Sequence, residues 1–260
     1  KKFGNSTITQ KIYFYENIRN IDFETEIDWH EEHLLLKAAF PLNIHTDKAT
    51  YDIQFGNIER PTHTNTSWDE AKFEVCAHKW ADLSEDDYGV SLMNNCKYGY
   101  STERNVLKLS LLKCATYPNP HADKGKHTFT YSLYPHGGNF KAGGTIQASY
   151  LLNRPFVAKK VHRNTGILCD NYSMIRCDKE NIIIETVKKA EQSNDIIIRL
   201  FDSYNRKTKA NIRFGFDVKK AYICDMLENE ISEVTVENNS VTVPVSNFEI
   251  VTLKLKVTAV

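Results

Sequence analysis

The sequence lacks the features that mark membrane-spanning and nucleic-acid-binding proteins. No stretch approaches the roughly 18 consecutive uncharged apolar residues of a membrane-spanning helix. Lysine plus arginine number 33, as do aspartate plus glutamate, so the formal net charge is zero. Nucleic-acid binding depends on a basic surface, which this balance does not predict, and nothing in it favours an anionic membrane. We therefore expect neither nucleic acid nor membrane among the partners.

The short motifs of common catalytic and metal sites are also missing. None of the six cysteines belongs to a Cys-x-x-Cys pair, which disfavours a structural zinc knuckle. There is no Gly-x-Ser-x-Gly elbow, no phosphate loop and no His-Glu-x-x-His pair. Adjacent carboxylates occur at Glu31-Glu32 and Asp86-Asp87, but neighbours on a strand point to opposite sides and cannot flank one glycosidic bond. These motifs therefore assign no catalytic residue.

Neither a leader peptide nor a disulfide framework is indicated. Residues 1–5 lack an initiator methionine and the apolar core of a signal peptide, and we expect them to be a cut inside a longer chain. Scattered cysteines in a chain that can bury a large core are usually small buried side chains. We predict reduced cysteines and a cytoplasmic protein, with three disulfides as the alternative. The cysteines are Cys76, Cys96, Cys114, Cys169, Cys177 and Cys224.

What the sequence does contain is one strand-like segment after another. Residues 21–29 alternate apolar and polar side chains, so their acidic groups share one face, which is either solvated or paired with a basic strand. Residues 34–40 form a continuous apolar run that stops at Pro41, as a buried strand would. Helical spacing occurs over 145–152. Further strands are predicted over 7–15, 51–55, 73–76, 78–83, 89–94, 106–112 and 129–135.

The strand-like segments after Pro155 are shorter and more aliphatic than those before it. Residues 234–243 predict a hairpin with Asn238-Asn239 in its turn, because asparagine tolerates positive φ. We predict an all-β fold: a large antiparallel, supersandwich-like β-sandwich over 1–158 and a smaller β-sandwich over 159–260, with the boundary near 156–165. Strands in the second part are predicted over 182–187, 196–201, 210–216, 221–224, 234–236, 241–245 and 248–257.

Three clusters of polar residues could carry chemistry. The first is His121 and Asp123 with His127, whose side chains are suitable zinc ligands but lie among turn-forming prolines and a glycine. It predicts either a metal site or an ordinary polar loop. Another cluster places His78, Trp80 and Asp82 on one strand face, as a base with its orienting carboxylate or as a hydrogen-bonded structural cluster.

The remaining cluster is the segment 59–69, which contains a fixed cation, an imidazole, amide and hydroxyl groups and an indole. Planar polar groups suit sugar hydroxyls, and an aromatic ring suits the apolar face of a sugar ring. The segment therefore predicts a carbohydrate contact, with a polar loop between strands as the alternative.

Two of these clusters lie in runs that resemble a known family. The run ERPTHTNTSWDEAKFE at 59–74, followed by HKWADLSE at 78–85 and DYGV at 87–90, closely resembles the C-terminal region of glycoside hydrolase family 38 α-mannosidases of the bacterial and cytosolic type. Shorter matches occur at 19–23, 28–29, 131–136, 153–155 and 197–200. The resemblance covers nearly the whole chain.

The resemblance implies a parent enzyme that hydrolyses terminal α-linked mannose with retention of configuration. Its aspartate nucleophile and its zinc, or another divalent metal, would lie in an upstream barrel and helical bundle. His121-Ala122-Asp123 is followed by Lys124 and does not match the family's zinc motif, so no residue here inherits a catalytic or metal-binding role. We expect no cofactor in this chain.

The same resemblance implies that the chain packs on its own N-terminal catalytic domain and shapes a cleft for mannose-containing oligosaccharides. We predict Arg60, His63, Asn65 and Trp68 as residues of the cleft rim. The sequence also leaves a homo-oligomer possible as a further partner interaction. Two other readings remain: an independent carbohydrate-binding module for mannose glycans that uses Trp68 and Trp80, and a metal hydrolase that uses the cluster around His121.

Overall fold

A computed structural model describes residues 1–162, 166 and 171–257. Cys169 and positions 163–165 of the predicted boundary lie outside the described residues. The chain divides into two compact units, Lys1–Ala158 (unit one) and Lys159–Val260 (unit two). No helix in the described part of the chain is both long and apolar enough to span a membrane.

Unit one consists mostly of antiparallel strands. Its elements in chain order are β1 (Lys2–Phe3), β2 (Ser6–Phe14), β3 (Ile21–Trp29), β4 (Leu36–Pro41), β5 (Lys48–Ile53), β6 (Gly56–Pro61), α1 (Ser67–Glu70), β7 (Val75–Cys76), β8 (Trp80–Ser84), β9 (Tyr88–Asn94), β10 (Gly99–Glu103), β11 (Val106–Leu112), β12 (Gly125–Gly137), α2 (Phe140–Gly143) and α3 (Thr145–Asn153).

Two sheets of unit one enclose its hydrophobic core. The larger has eight strands in the order β1-β2-β3-β12-β9-β8-β5-β6, and the smaller has four in the order β4-β11-β10-β7. Alternate side chains point inward, so Ile27 and Trp29 of β3 are buried together with Leu107 and Leu109 of β11. The predicted period of two is therefore what builds this core.

The acidic face of β3 is partly exposed to solvent, in accordance with the first of the two predicted alternatives, and Lys11 is the one basic residue of the facing strand β2. Glu24 pairs with Lys11 at 3.2 Å and accepts a hydrogen bond from the Tyr13 hydroxyl at 3.0 Å. The lysine hydrogen bond is the largest effect that holds the pKa of Glu24 below its ordinary value. These contacts are exposed and help to set the register between the strands more than they stabilise the fold.

The prediction of a buried strand over residues 34–40 is wrong. β4 begins at Leu36, includes Pro41 and lies at the edge of the four-stranded sheet, where it pairs with β11 alone. Leu34 and Leu35 precede the strand and are exposed. An edge strand tolerates proline because one of its sides needs no ladder hydrogen bonds.

Unit two is a smaller sandwich with its own core. Its strands are β13 (Ile175–Cys177), β14 (Ile182–Lys189), β15 (Ile196–Asp202), β16 (Thr208–Phe214), β17 (Val218–Cys224), β18 (Glu230–Val234), β19 (Ser240–Val245) and β20 (Ile250–Val257). A three-stranded sheet, β13-β16-β19, faces a five-stranded sheet, β14-β15-β20-β17-β18. Aliphatic side chains of both sheets, such as Leu253 and Val243, are completely buried. The prediction of an all-β fold is confirmed.

The predicted hairpin around Asn238-Asn239 exists only as a turn. Both asparagines have positive φ, 50° and 55°, as a type I′ turn requires. The strands on either side then separate, because β18 pairs with β17 in one sheet and β19 pairs with β16 in the other. A single bridge between Glu237 and Ser240 closes the turn.

Helix α3 confirms the helical spacing predicted over 145–152. It follows Gly144, whose positive φ of 75° ends α2 and begins α3 within one residue. Thr145, Ile146 and Ser149 are buried, which places the inner face of the helix on the eight-stranded sheet.

Candidate functional site

The segment 59–69 folds as the end of a strand, a loop and one helical turn. Arg60 lies on β6, and Thr66 caps α1 by accepting a hydrogen bond from the Asp69 amide at 3.2 Å. The Thr66 hydroxyl also donates to the Asp69 carboxylate at 2.8 Å, so the two residues close the turn reciprocally. This arrangement leaves the Trp68 side chain 79% exposed.

A cleft lies beside this turn and has a volume of about 50 Å³. We call it the Arg60 cleft. Strands β5, β6, β7 and β10 and the turn at α1 contribute its walls. The residues that line it are Tyr51, Arg60, Pro61, His63, Thr64, Asp69, Lys72, Val75, Ser101 and Thr102.

His63 also lines a neighbouring polar cleft, which extends the site along unit one. That cleft includes His45, Asp47, Glu85 and Arg104. A further depression shares His45 and Glu85 with it and adds Asp86 and Asp87. The connected clefts are therefore rich in cations at the Arg60 end and in carboxylates at the other.

The Arg60 guanidinium lies over the ring of Tyr51, with 4.7 Å between its Cζ atom and the ring centroid. The Tyr51 hydroxyl is hydrogen-bonded to the Thr102 hydroxyl at 2.7 Å, and burial raises the pKa of Tyr51. The Arg60 Nη1 atom is buried and has no hydrogen-bond partner. The cleft therefore has a fixed cation with an unused donor.

At the mouth of the cleft, Asp69 lies between two basic groups. Its carboxylate is 3.6 Å from the Lys72 Nζ atom and 3.9 Å from the His63 Nδ1 atom. The hydrogen bond from Thr66 is the largest effect that lowers the pKa of Asp69, and the charges of Lys72 and His63 add to it. One carboxylate is thus shared between two basic side chains.

The structure brings together two of the four predicted rim residues. Arg60 and His63 line the same cleft, whereas Asn65 and Trp68 are exposed beside it and do not line it. The backbone amide of Asn65 donates a hydrogen bond to the His63 Nδ1 atom at 3.4 Å, so Asn65 contacts a residue of the cleft lining through its main chain. A role for any of the four in sugar binding stays a prediction.

In the predicted metal cluster around His121, Asp123 and His127 make hydrogen bonds to the backbone instead. The Asp123 carboxylate accepts hydrogen bonds from the amides of Cys114 at 3.0 Å and Lys113 at 3.1 Å. The Cys114 amide is the largest effect that lowers the pKa of Asp123. His127 donates to the backbone carbonyl of Asp123 at 2.8 Å. Over residues 1–162, 166 and 171–257, no group of three or more potential metal ligands converges.

The predicted pairing of His78 with Asp82 is wrong. His78 precedes β8 in a bend, and its ring lies edge-on to Tyr98. The imidazole that pairs with Asp82 belongs to His136 on β12, with 2.8 Å between its Nε2 atom and the carboxylate. Two residues that are 54 positions apart become neighbours because β9 pairs with both β8 and β12.

Sequence reasoning missed the network around this pair. The Ser91 hydroxyl lies 2.7 Å from the Asp82 carboxylate and 2.7 Å from the Thr145 hydroxyl, and Ser84 also donates to Asp82. The side chains of His136 and Asp82 are 0% and 2% exposed. The residue types are those of a hydrolytic triad, but no substrate reaches them, and the network joins β8, β9, β12 and α3.

Two protein-family models match the chain, one within each unit. The model described as "Glycosyl hydrolases family 38 C-terminal domain" matches residues 1–121, and the model described as "Glycosyl hydrolases family 38 C-terminal beta sandwich domain" matches residues 181–253. The chain belongs to glycosyl hydrolase family 38. The predicted resemblance is therefore confirmed, and the family matches are to the C-terminal domains of these enzymes.

Curated family 38 relatives match nearly all of the chain. Alpha-mannosidase G of Dictyostelium discoideum is 40% identical over 257 residues, and Alpha-mannosidase 2C1 of Homo sapiens is 38% identical over 256 residues. Each alignment covers 96% of this chain and 24% of the relative. The chain thus spans about a quarter of the length of the relatives that it matches.

A solved structure confirms the fold of this family 38 region. The alpha-mannosidase of Enterococcus faecalis V583 superposes with a TM-score of 0.81 at 21% sequence identity. The superposition covers 96% of this chain and 29% of that one. At this identity the likeness concerns the fold, and it assigns no role to individual residues.

Proposed function

We propose that this chain is the C-terminal part of an α-mannosidase, that it packs on a catalytic domain of the same polypeptide and that it shapes the sugar cleft. The observation that carries the proposal is the alignment of 96% of the chain with two relatives named alpha-mannosidases. The parent enzyme would hydrolyse terminal α-linked mannose of oligosaccharides with retention of configuration.

Retaining hydrolysis requires two carboxyl groups about 5 Å apart across the scissile bond. The buried Asp82 is engaged by His136, and the exposed Asp123 holds two backbone amides. The described residues contain no converging set of metal ligands, so they do not fit a zinc site. In this proposal the nucleophile and the zinc ligands belong to the rest of the polypeptide, and the chain alone does not turn over substrate.

An exposed apolar face at the end of β2 supports the proposed packing on a catalytic domain. Ile8, Ile12 and Phe14 alternate along β2 and share one face of the eight-stranded sheet. Ile8 packs on the core, whereas Ile12 is 50% and Phe14 is 75% exposed. The inner face of the large sheet therefore extends past the part that its own core covers, as a surface buried in a larger assembly does.

The rim assignment is supported by the surroundings of the Arg60 cleft. Arg60 and His63 present donors, Asn65 presents an amide, and the exposed Trp68 presents an indole face. Sugar sites combine such polar groups with an aromatic ring. The described residues offer no observation that favours an independent carbohydrate-binding module, and we do not propose one.

A cytoplasmic location is supported by the state of the cysteines. Five of them are free thiols in the described part of the chain: Cys76, Cys96, Cys114, Cys177 and Cys224. Free thiols are typical of a reducing compartment. The predicted alternative of three disulfides is wrong, because at most one of the six cysteines is left to pair.

A chimera tests the rim. The C-terminal quarter of the Dictyostelium discoideum relative would be replaced by this chain, and hydrolysis of an aryl α-mannoside would be measured. We expect activity to be retained, and we expect Trp68→Ala to raise KM several-fold because stacking on a sugar ring is lost. Leu227→Ala, which removes a side chain 83% exposed in unit two, is the control. Equal KM values for the two variants would remove Trp68 from the rim.

A further inference from the structure

We infer that the Arg60 cleft binds a small oxyanion, such as a phosphate or carboxylate group, with Arg60 at its base and Lys72 and His63 at its mouth. The inference rests on the contacts, burial and charges of this cleft. Only the identification of the anion as a substituent of a sugar rests on the proposed function.

Arg60 is the centre of the site. Its guanidinium is always charged and is held over the Tyr51 ring at 4.7 Å, so its position does not depend on a carboxylate. No carboxylate of the described residues forms an ion pair with it, and its buried Nη1 atom has no acceptor. Arg60 lines the cleft, so an oxyanion there would compensate the charge of its guanidinium.

The charges around Arg60 leave it uncompensated. Asp69 is the carboxylate of the cleft lining, and it already lies within 4 Å of both Lys72 and His63. Lys37, whose Nζ atom donates to the Ser101 hydroxyl at 2.9 Å, is itself paired with Glu74. The cleft therefore has a net positive lining that favours an anion over a neutral ligand.

The other walls suit the same ligand. Ser101, Thr102 and Thr64 line the cleft with hydroxyl groups, which donate readily to phosphate or carboxylate oxygens. Pro61 and Val75 form an apolar side. The volume of about 50 Å³ accommodates a small group such as an oxyanion, and a sugar that carries it would extend out of the cleft.

Calorimetric titration of the 260-residue chain with inorganic phosphate tests the site. We expect saturable binding that weakens with added salt, because part of the attraction is between charges at the mouth of the cleft. Arg60→Gln should weaken it by about tenfold or more, the effect of removing one charged hydrogen-bond donor. Lys72→Gln should weaken it less, because the Lys72 side chain is 51% exposed. Arg213→Gln on the exposed surface of unit two is the charge-matched control and should bind as the wild type does.

A parallel titration with mannose 6-phosphate and with mannose distinguishes the sources of the anion. Tighter binding of the phosphosugar than of phosphate assigns the site to a substituted sugar, and equal binding assigns it to a free oxyanion. Absence of saturable phosphate binding by the folded wild-type chain would overturn the inference, as would unchanged binding by Arg60→Gln. If Arg60→Gln does not fold, equal binding by Lys72→Gln and the wild type at low salt overturns it.

The two proposals fail separately. Loss of aryl α-mannoside hydrolysis in the chimera contradicts the mannosidase role and leaves the phosphate titration unaffected. Absence of phosphate binding by this chain leaves that hydrolysis unaffected.

Discussion

The imidazole of His136 determines which residues fit around it. A Cβ atom at Gly143 would lie 2.4 Å from the His136 Cγ atom, and one at Gly89 would lie 2.4 Å from its Cε1 atom. Neither glycine has a positive φ, so close approach and not backbone conformation requires them. The buried pair of His136 and Asp82 thus depends on two positions that carry no side chain.

Substitution of Gly143 by alanine should destabilise unit one. We expect a loss of about 1–3 kcal/mol in the free energy of unfolding, because the added methyl group displaces a buried, hydrogen-bonded ring. Urea denaturation measures it. Gly137→Ala is the control, since a Cβ there meets its nearest neighbour, the Asp87 carbonyl oxygen, at 3.8 Å. Equal unfolding midpoints for the two variants would show that the ring does not require the glycine.

Asp52 is a buried carboxylate with one cationic partner. It accepts the Lys79 amide at 2.8 Å and lies 3.0 Å from the Lys79 Nζ atom. Burial is nevertheless the largest effect, and it raises the pKa of Asp52 above its ordinary value of 3.8, with Lys79 offsetting it in part. The folded state therefore binds a proton at Asp52 more tightly than the unfolded chain does.

This raised pKa has a defined sign in the pH dependence of stability. The contribution of Asp52 is fully present below pH 3.8 and is lost as the pH rises through the raised value. The free energy of unfolding of the wild type relative to Asp52→Asn should therefore fall as the pH rises from below 3.8 towards neutrality. Urea denaturation of both proteins across this range checks it, and a difference that grows with pH would contradict the assignment.

Element boundaries followed from local patterns where one face of a strand is buried. β3 and β11 have the predicted bounds, 21–29 and 106–112, because alternation fixes their register against the core. β4 differed because edge strands and buried strands have similar composition, and position in the sheet is not a local property. The sequence around residue 238 predicted a turn, but which sheet each flanking strand joins depends on distant partners.

The turn between β18 and β19 offers a test at the scale of elements. Asn238 has a φ of 50°, a left-handed conformation that costs most residues about 1–2 kcal/mol. We expect Asn238→Val to destabilise unit two by about this amount, and Asn238→Gly to be neutral or slightly stabilising. Asn239 is left unchanged, because its side chain donates to Asp217. Equal urea midpoints for the valine and glycine variants would show that the turn is not strained.

For the whole molecule, the family could be predicted from composition and the order of motifs, whereas the residues of the cleft come together through the topology of the sheets. The segment 59–69 is contiguous, so a local pattern could indicate a contact region containing Arg60 and His63. Tyr51, Ser101 and Thr102 join the same cleft only through the pairing and packing of β5, β6 and β10, which no local spacing encodes. The partner of Asp82 was missed for the same reason, since His136 reaches it across β9.

In the function that we propose, the chain is a non-catalytic part of a longer enzyme. The division into two sandwiches, each with its own core, fits a region that folds as a scaffold. The exposed Ile12 and Phe14 mark the face that we expect the catalytic part to cover.

The most direct measurement is aryl α-mannoside hydrolysis in the presence of zinc, by three samples. These are this chain alone, the Dictyostelium discoideum relative without its C-terminal quarter, and the two mixed. We predict no hydrolysis by the chain alone, and faster hydrolysis by the mixture than by the truncated relative. Zinc-dependent turnover by the pure chain at an enzymatic rate would contradict the account.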